Sequence, residues 1–322
     1  MANNNILDIL KKHQGTLITG SDIAKQLGIT RSYVNKVVKE LQTKGYEIKS
    51  ENRTGYIYIN DTRVLDASSI QKNLKNKVDI IILDEVDSTN RYLKELAKNS
   101  TINHMVVIAN QQTGGRGRLG RNFVSSQGKG IYMSILIRPD FSIHLAKKIT
   151  CMVSVAITKA IDKLTGAQTS IKWVNDIYLN HKKICGILTE GATSLEQNSM
   201  EYVIIGIGIN CYHQVFDEEL DKKATTIEDE LGIIVSRNEL ISEIINEVDE
   251  YISDFDASSQ LFMKEYIDKS FVIGRDVELQ KGNTIMLVKV KDINSDGELI
   301  VEDIDKKEIT FASGEITRMI IK

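Results

Sequence analysis

The chain has 322 residues, 42 % hydrophobic and 26 % charged, a mixture that fits a globular protein of two or three domains and excludes a disordered or fibrous one. No run approaches the roughly 18 apolar residues that span a bilayer, and the opening MANNNILDIL lacks the basic start and unbroken apolar stretch of a secretory signal, so the cytoplasm is the expected location. The net charge of −3 argues against a chain given over wholly to nucleic acid, and three scattered cysteines, Cys151, Cys185 and Cys211, form no CxxC pair and are expected to be buried thiols.

Charge is unevenly spread. Residues 1–63 hold ten Lys or Arg against six Asp or Glu, so a locally positive module sits on an otherwise acidic chain. Within it, Ile6, Leu7, Ile9 and Leu10 open an amphipathic helix, and Ser21 is placed to cap a second that carries Ile23, Ala24 and Leu27 before Gly28 breaks it. Thr30 can cap a third helix in which Val34, Val37, Val38 and Leu41 share one face. The other face carries Arg31, Ser32, Asn35, Lys36 and Lys39. Alternating Tyr46 to Lys49 and Gly55 to Ile59 then surround a polar turn, the pattern of a winged helix-turn-helix. In that fold the basic third helix faces DNA.

From about Asp66 to Ser270, strand-like runs such as MVVIA, YMSILI and YVIIGIGIN alternate with helical stretches, which predicts a mixed α and β domain. Beyond Phe271, short strands separated by Gly282-Asn283, Asp296-Gly297 and Lys306-Lys307 suggest a small barrel-like β module.

The most informative segment is Gln112-Thr113-Gly114-Gly115-Arg116-Gly117-Arg118-Leu119-Gly120-Arg121. Its glycines free backbone N–H groups to turn toward a ligand, and its arginines add fixed donors for carboxylate or phosphate oxygens. No Gly-Lys-Ser/Thr closes the segment, so it is not a Walker loop. A second cluster, Lys172-Trp173-Val174-Asn175-Asp176, puts polar groups into an apolar stretch, and Asn175-Asp176 marks a turn between strands; Lys183 follows in KKICGILTE. Gly206-Ile207-Gly208-Ile209-Asn210 ends an apolar strand but lacks the third glycine and following helix of a dinucleotide fingerprint. Asp87-Ser88-Thr89-Asn90 precedes a helical stretch, where Ser88 or Thr89 can cap the helix, contact a ligand, or both.

Taken in order, DSTN, QTGGRGRLGR, KWVND, KKICGILTE and GIGIN resemble the biotin protein ligases, and the winged helix ahead of them resembles the bifunctional ligase/repressor subgroup. The resemblance covers essentially the whole chain. It implies an α+β protein: a winged helix-turn-helix over 1–64, a class II synthetase-like ligase domain over 65–270, and an SH3-like β-barrel over 271–322. It also implies a two-step reaction. Biotin and ATP, with Mg2+, give biotinyl-5′-AMP and pyrophosphate, and the acyl group then passes to a lysine of a biotin carboxyl carrier protein.

By the same resemblance, Ser88, Thr89, Asn90, Gln112, Arg116, Gly117, Arg118 and Lys183 surround biotin. Arg118, Arg121, Phe123, Asn175 and Asn210 serve the nucleotide, with Asn210 assigned to adenine. Lys183, Arg118 and Asp176 carry the chemistry, and Asp176 either holds magnesium or orients the acceptor amine. Biotinyl-5′-AMP is also expected to act as co-repressor, promoting a homodimer on operator DNA that Arg31, Ser32, Asn35 and Lys36 contact. No membrane partner is expected. Two positions depart from the family pattern, with Val174 where Pro is usual in KWPND and Phe123 where Trp is common. Lys183, Asp176 and the arginine loop argue against a repressor that senses a ligand without ligase chemistry. A ligase for lipoate or another acyl group shares the general fold, but lipoate ligases are not expected to carry this loop or an N-terminal DNA-binding module. An enzyme whose winged helix is a protein-interaction module is the third alternative.

Overall fold

A computed structural model of the chain describes residues 2–51, 54–98, 101–138, 146–194 and 199–320. Its contacts divide it into two compact units, Met1–Asp66 with Ser236–Asn238, and Ala67–Val235 with Glu239–Lys322.

The first unit runs α1 (Ala2–Lys12), β1 (Leu17–Ile18), α2 (Gly20–Leu27), α3 (Arg31–Thr43), β2 (Glu47–Glu51) and β3 (Gly55–Asn60), with the strands in the order β1-β3-β2. Ile6, Ile9 and Leu10 of α1, Ile23 of α2 and the four apolar residues of α3 bury together with Ile48 and Tyr58 of the hairpin. At roughly 1.5–3 kcal/mol for each large apolar side chain removed from water, this cluster is what holds so small a unit together. The cap expected at Ser21 lies two residues earlier. Thr19 is extended and its hydroxyl oxygen accepts the Asp22 N–H at 3.0 Å, satisfying the orphan donor that Ser21, already inside the helix, cannot reach. Thr30 caps α3 as expected, accepting from the Tyr33 N–H. Arg31, Ser32, Asn35 and Lys36 are exposed while Val34, Val37, Val38 and Leu41 are buried, so one face of α3 is anchored in the core and the other is exposed.

The second unit contains α4 (Ala67–Asn73), β4 (Asp79–Leu83), α5 (Thr89–Lys98), β5 (His104–Ala109), β6 (Gly130–Ile137), α6 (Ala146–Thr165), β7 (Ser170–Lys172), β8 (Asp176–Leu179), β9 (Lys182–Ser194) and β10 (Ser199–Asn210). It continues with α7 (Glu218–Asp221), α8 (Ile227–Leu231), α9 (Arg237–Ser253) and α10 (Phe255–Lys269), then β11 (Asp276–Lys281), β12 (Thr284–Ile293), β13 (Leu299–Glu302), β14 (Glu308–Phe311) and β15 (Glu315–Met319). Seven strands form one sheet in the order β4-β5-β6-β10-β9-β8-β7, parallel only at β4–β5. Every residue of β6 is buried, which explains the unbroken apolar runs of the central strands: both faces are covered. Helix α5 packs on β5, β6 and β10, and α6 packs on β7, β8 and β9. All three cysteines are buried and none forms a disulfide, and burial raises the thiol of Cys151 to about 12.

The C-terminal strands form an antiparallel sheet in the order β14-β13-β12-β11-β15. The expected small SH3-like β-barrel is present as this antiparallel sheet but is not closed, because the edge strands β14 and β15 do not pair. Gly314, just before β15, instead gives its carbonyl to Arg118 of the arginine loop. A second tie joins this module to the β7–β8 turn, where the buried Trp173 donates its indole N–H to the Gly297 carbonyl at 2.9 Å. The Trp173–Val174 peptide in that turn is cis.

Candidate active site

A cavity of about 630 Å³ opens in the second unit between the arginine loop, the ends of β8 to β10 and the start of β15. With one exception, every residue assigned above to biotin, nucleotide or catalysis lines it. The exception is Asn210, which is buried beyond the wall. Its amide donates to the Thr225 carbonyl at 3.1 Å and its oxygen accepts from Gln214, so the side chain bridges its own loop and does not line this cavity. Eight Lys and Arg side chains line the space against two carboxylates, Asp176 and Glu315, a balance that suits an anion of several charges.

The arginine loop is pinned at its base, where the Phe123 N–H donates to the Gly115 carbonyl at 2.9 Å and the Gly117 N–H to the Arg121 carbonyl at 2.7 Å. Its tip carries Leu119 in the left-handed region (φ 56°) and 72 % exposed, so little packing holds it. Two of its arginines reach inward. Arg118 donates to the Asn175 side-chain oxygen at 3.0 Å and to the Gly314 carbonyl at 3.1 Å, while Arg121 forms an ion pair with Glu315. Asn175 is itself fixed because its amide donates to the Ile187 carbonyl at 2.8 Å.

Opposite the loop, Lys183 Nζ lies 2.6 Å from Asp176 Oδ1. The register explains the pairing. Asp176 faces Gly186 across β8–β9, a bulge at Ile177/Tyr178 brings Lys183 opposite Tyr178, and the lysine side chain runs back over Gly186 where a Cβ would crowd it at 3.2 Å. Lys172 joins the same wall, 5.7 Å from the centroid of the Tyr178 ring, and desolvation holds its amine below the ordinary lysine range.

The deeper wall is polar and largely buried. The Thr89 N–H donates to Gln112 Oε1 at 2.9 Å, and the Gln112 amide donates to Ser125 Oγ at 2.9 Å. Asn90 donates to the Leu188 carbonyl and to Glu190. The two glycines of GIGIN admit side chains of the protein itself. A Cβ on Gly206 would lie 2.3 Å from Asn90 Oδ1, and one on Gly208 2.6 Å from the Phe123 ring. Gly206→Ala is therefore expected to displace the buried Asn90 amide and cost about 1–3 kcal/mol, read as a lower urea midpoint at unchanged m-value.

The reading of motifs left out Glu315, which lies 194 residues from Arg121 and meets it only through the fold. Ser134 in YMSILI and Glu190 in KKICGILTE were visible without a role. Lys172 was visible inside KWVND without a role.

Fold and site together define a class: an α+β ligase domain with a cationic cavity, carried on the same chain as a helix-turn-helix. Residues 82–210 match the biotin/lipoate A/B protein ligase family, and residues 3–57 match an HTH domain family. The chain is 33 % identical over 307 residues to the bifunctional ligase/repressor BirA of Bacillus spizizenii, covering 92 % of this chain and 93 % of that protein. The relative of the same name from Escherichia coli is 26 % identical, with 89 % of each chain covered. Among solved structures, the biotin protein ligase from Aquifex aeolicus in complex with biotin and ATP superposes with a TM-score of 0.64 at 28 % identity, covering 74 % of this chain and 99 % of that one. The chain belongs to the bifunctional ligase/repressor family.

Proposed function

We propose that the chain is an ATP-dependent biotin protein ligase that forms biotinyl-5′-AMP, transfers biotin to a lysine of a biotin carboxyl carrier protein, and with the adenylate bound represses transcription as a homodimer in the cytoplasm. The observation that carries the ligase reading is the single cavity that joins a buried hydrogen-bonding pocket at Thr89 and Gln112 to the fixed cations of Lys183, Arg118 and Arg121. Biotin's ureido head suits the first end, and its carboxylate meets the α-phosphate of ATP at the second.

In the first step a biotin carboxylate oxygen attacks the α-phosphorus and pyrophosphate leaves. Both partners are anionic, so fixed positive charge is needed where they meet. Lys183 is held there by Asp176, and Arg118 by Asn175 and Gly314. Ser88 and Asn90 close the biotin end, Arg116 and Gly117 belong to the loop that covers it, and Phe123, lying over Gly208, offers a ring face to the base. In the second step the acceptor lysine amine attacks the acyl carbon and AMP leaves, with Asp176 near enough to orient the amine.

For Mg2+, the donor set is sparse: among the described residues no three His, Cys, Asp or Glu cluster to hold a metal. One or two carboxylates plus substrate phosphates is how Mg2+ usually binds, so Asp176 fits as its protein ligand. When bound, the ion neutralises phosphate charge. The direct test mixes protein, biotin, MgATP and a carrier-domain lysine substrate. Biotin on that lysine with one pyrophosphate per turnover is the expected result, and a chain that binds biotin yet releases no pyrophosphate would favour a sensor without chemistry.

The repressor half rests on α3, whose exposed Arg31, Ser32, Asn35 and Lys36 stand on a buried apolar face. These side chains are the right types for phosphate and base-edge contacts in the major groove. Adenylate-driven pairing of two such heads raises their effective concentration on a two-half-site operator. Gel-shift titration should give tighter operator binding with biotin plus ATP. Lys36→Ala should weaken it and flatten the salt dependence by about one ion while leaving adenylation intact.

A further inference from the structure

The turn that latches the arginine loop is held from behind by a residue outside the cavity. Tyr266 of α10 is fully buried and donates its hydroxyl proton to the Val174 carbonyl at 3.0 Å, yet it does not line the cavity. Val174 lies between β7, which ends at Lys172, and β8, which begins at Asp176, so neither strand fixes its carbonyl. It also stands where the family pattern has Pro. A proline ring locks its own φ, whereas a valine leaves the turn to take its rigidity from its neighbours.

Every residue of that turn is tied. Trp173 donates its indole N–H to the Gly297 carbonyl, and Tyr266 holds the carbonyl of Val174. Asn175 exchanges two hydrogen bonds with Ile187, its amide donating to the Ile187 carbonyl at 2.8 Å and its own carbonyl accepting the Ile187 N–H at 3.0 Å. Its side-chain oxygen then faces the loop and takes Arg118 Nη1 at 3.0 Å. The ring behind Val174 is itself fixed, because Phe255, Phe262, Met263 and Tyr266 form the buried residues of α10, which packs on α6. Burial raises the Tyr266 hydroxyl well above the ordinary tyrosine range, so it stays protonated and remains a donor. A carbonyl shifted by about half an ångström carries the next side chain with it, and a two-point guanidinium latch tolerates little more than that.

We infer that Tyr266 is a positioning residue for the arginine loop: by holding the Val174 carbonyl it sets the Asn175 side chain that latches Arg118, and so governs how long the acyl-adenylate stays in the cavity. The inference rests on the ligase reading above. It places part of the control of adenylate retention on α10, in a hydroxyl that touches neither substrate nor loop. Lys183 and Asp176 stand on β8 and β9 and keep their pairing without it, so the chemistry of adenylate formation is largely spared.

The test loads full-length wild type, Tyr266→Phe, Asn175→Ala and the double variant with ready-made biotinyl-5′-AMP and follows its dissociation, with single-turnover pyrophosphate release from biotin and ATP measured beside it. Tyr266→Phe keeps the ring that fills the core and removes only the hydroxyl. Its expected result is dissociation about tenfold faster, with pyrophosphate release within about twofold of wild type. In the Asn175→Ala background the same change should alter dissociation by less than about twofold, because the side chain through which the hydroxyl acts is already gone. Unchanged dissociation in Tyr266→Phe overturns the inference. So does an equal acceleration in both backgrounds, the mark of a merely structural role. Because the adenylate is supplied ready-made, its retention is read whether or not the chain forms it. Wild type that holds the compound but releases no pyrophosphate therefore overturns the ligase reading alone, and wild type that does not bind it overturns both.

Discussion

Replacing Lys183 with alanine is expected to slow adenylate formation by about 10²–10³-fold, the usual cost of losing one preorganised charge at a transition state. The structure adds a reason for the upper end of that range. Lys183 lies 2.6 Å from Asp176, so removing it exposes a carboxylate where two anions must meet. Lys183→Arg should recover little, because a planar guanidinium does not reproduce the compact ammonium that lies against Asp176 Oδ1. Single-turnover release of pyrophosphate measures the step directly, and biotin affinity should change far less than the rate.

Arg118→Gly should fail differently. Arg118 latches the arginine loop to Asn175 and Gly314 through one donor each, while Lys183 stays in place opposite. Chemistry should continue within about tenfold, but the adenylate should leave about a hundredfold faster, since each hydrogen bond from a charged group contributes roughly 1.5–3 kcal/mol. Filtration and mass spectrometry would find free biotinyl-5′-AMP accumulating in solution, with acylation of lysines on bystander proteins. An adenylate retained as in wild type would show that the loop is held without this arginine.

The helices of the first unit were legible because periodicity and caps agree: Thr30 and the apolar face of α3 specify one helix in one orientation. Ser21 misled because Thr19 and Ser21 are both good caps, and only the backbone tells which hydroxyl reaches the Asp22 amide. The arginine loop and the Lys172 to Asp176 turn could be seen as ligand-binding because charges and glycines there serve no core. Their partners could not. Glu315 and Gly314 come from a module whose strand pattern predicts a barrel but not that its first edge residues meet Arg118 and Arg121. Asn210 shows the opposite failure, a motif residue that spends both polar groups on its own loop. Ser134 was visible without a role for a physical reason: in an apolar strand buried on both faces, a single serine reads as filler until its two short contacts are measured.

The central claim is that a cationic flap and the Lys183 ammonium together hold an acyl-adenylate whose head group sits against Thr89 and Gln112. A crystal structure of the chain with biotinyl-5′-AMP tests it most directly. The expected density puts the ureido ring within hydrogen-bond distance of Thr89 Oγ1 and Gln112 Oε1 and the phosphate against Lys183 and Arg118. The compound lodged in another part of the molecule, or absent from crystals grown at saturating concentration, would contradict it.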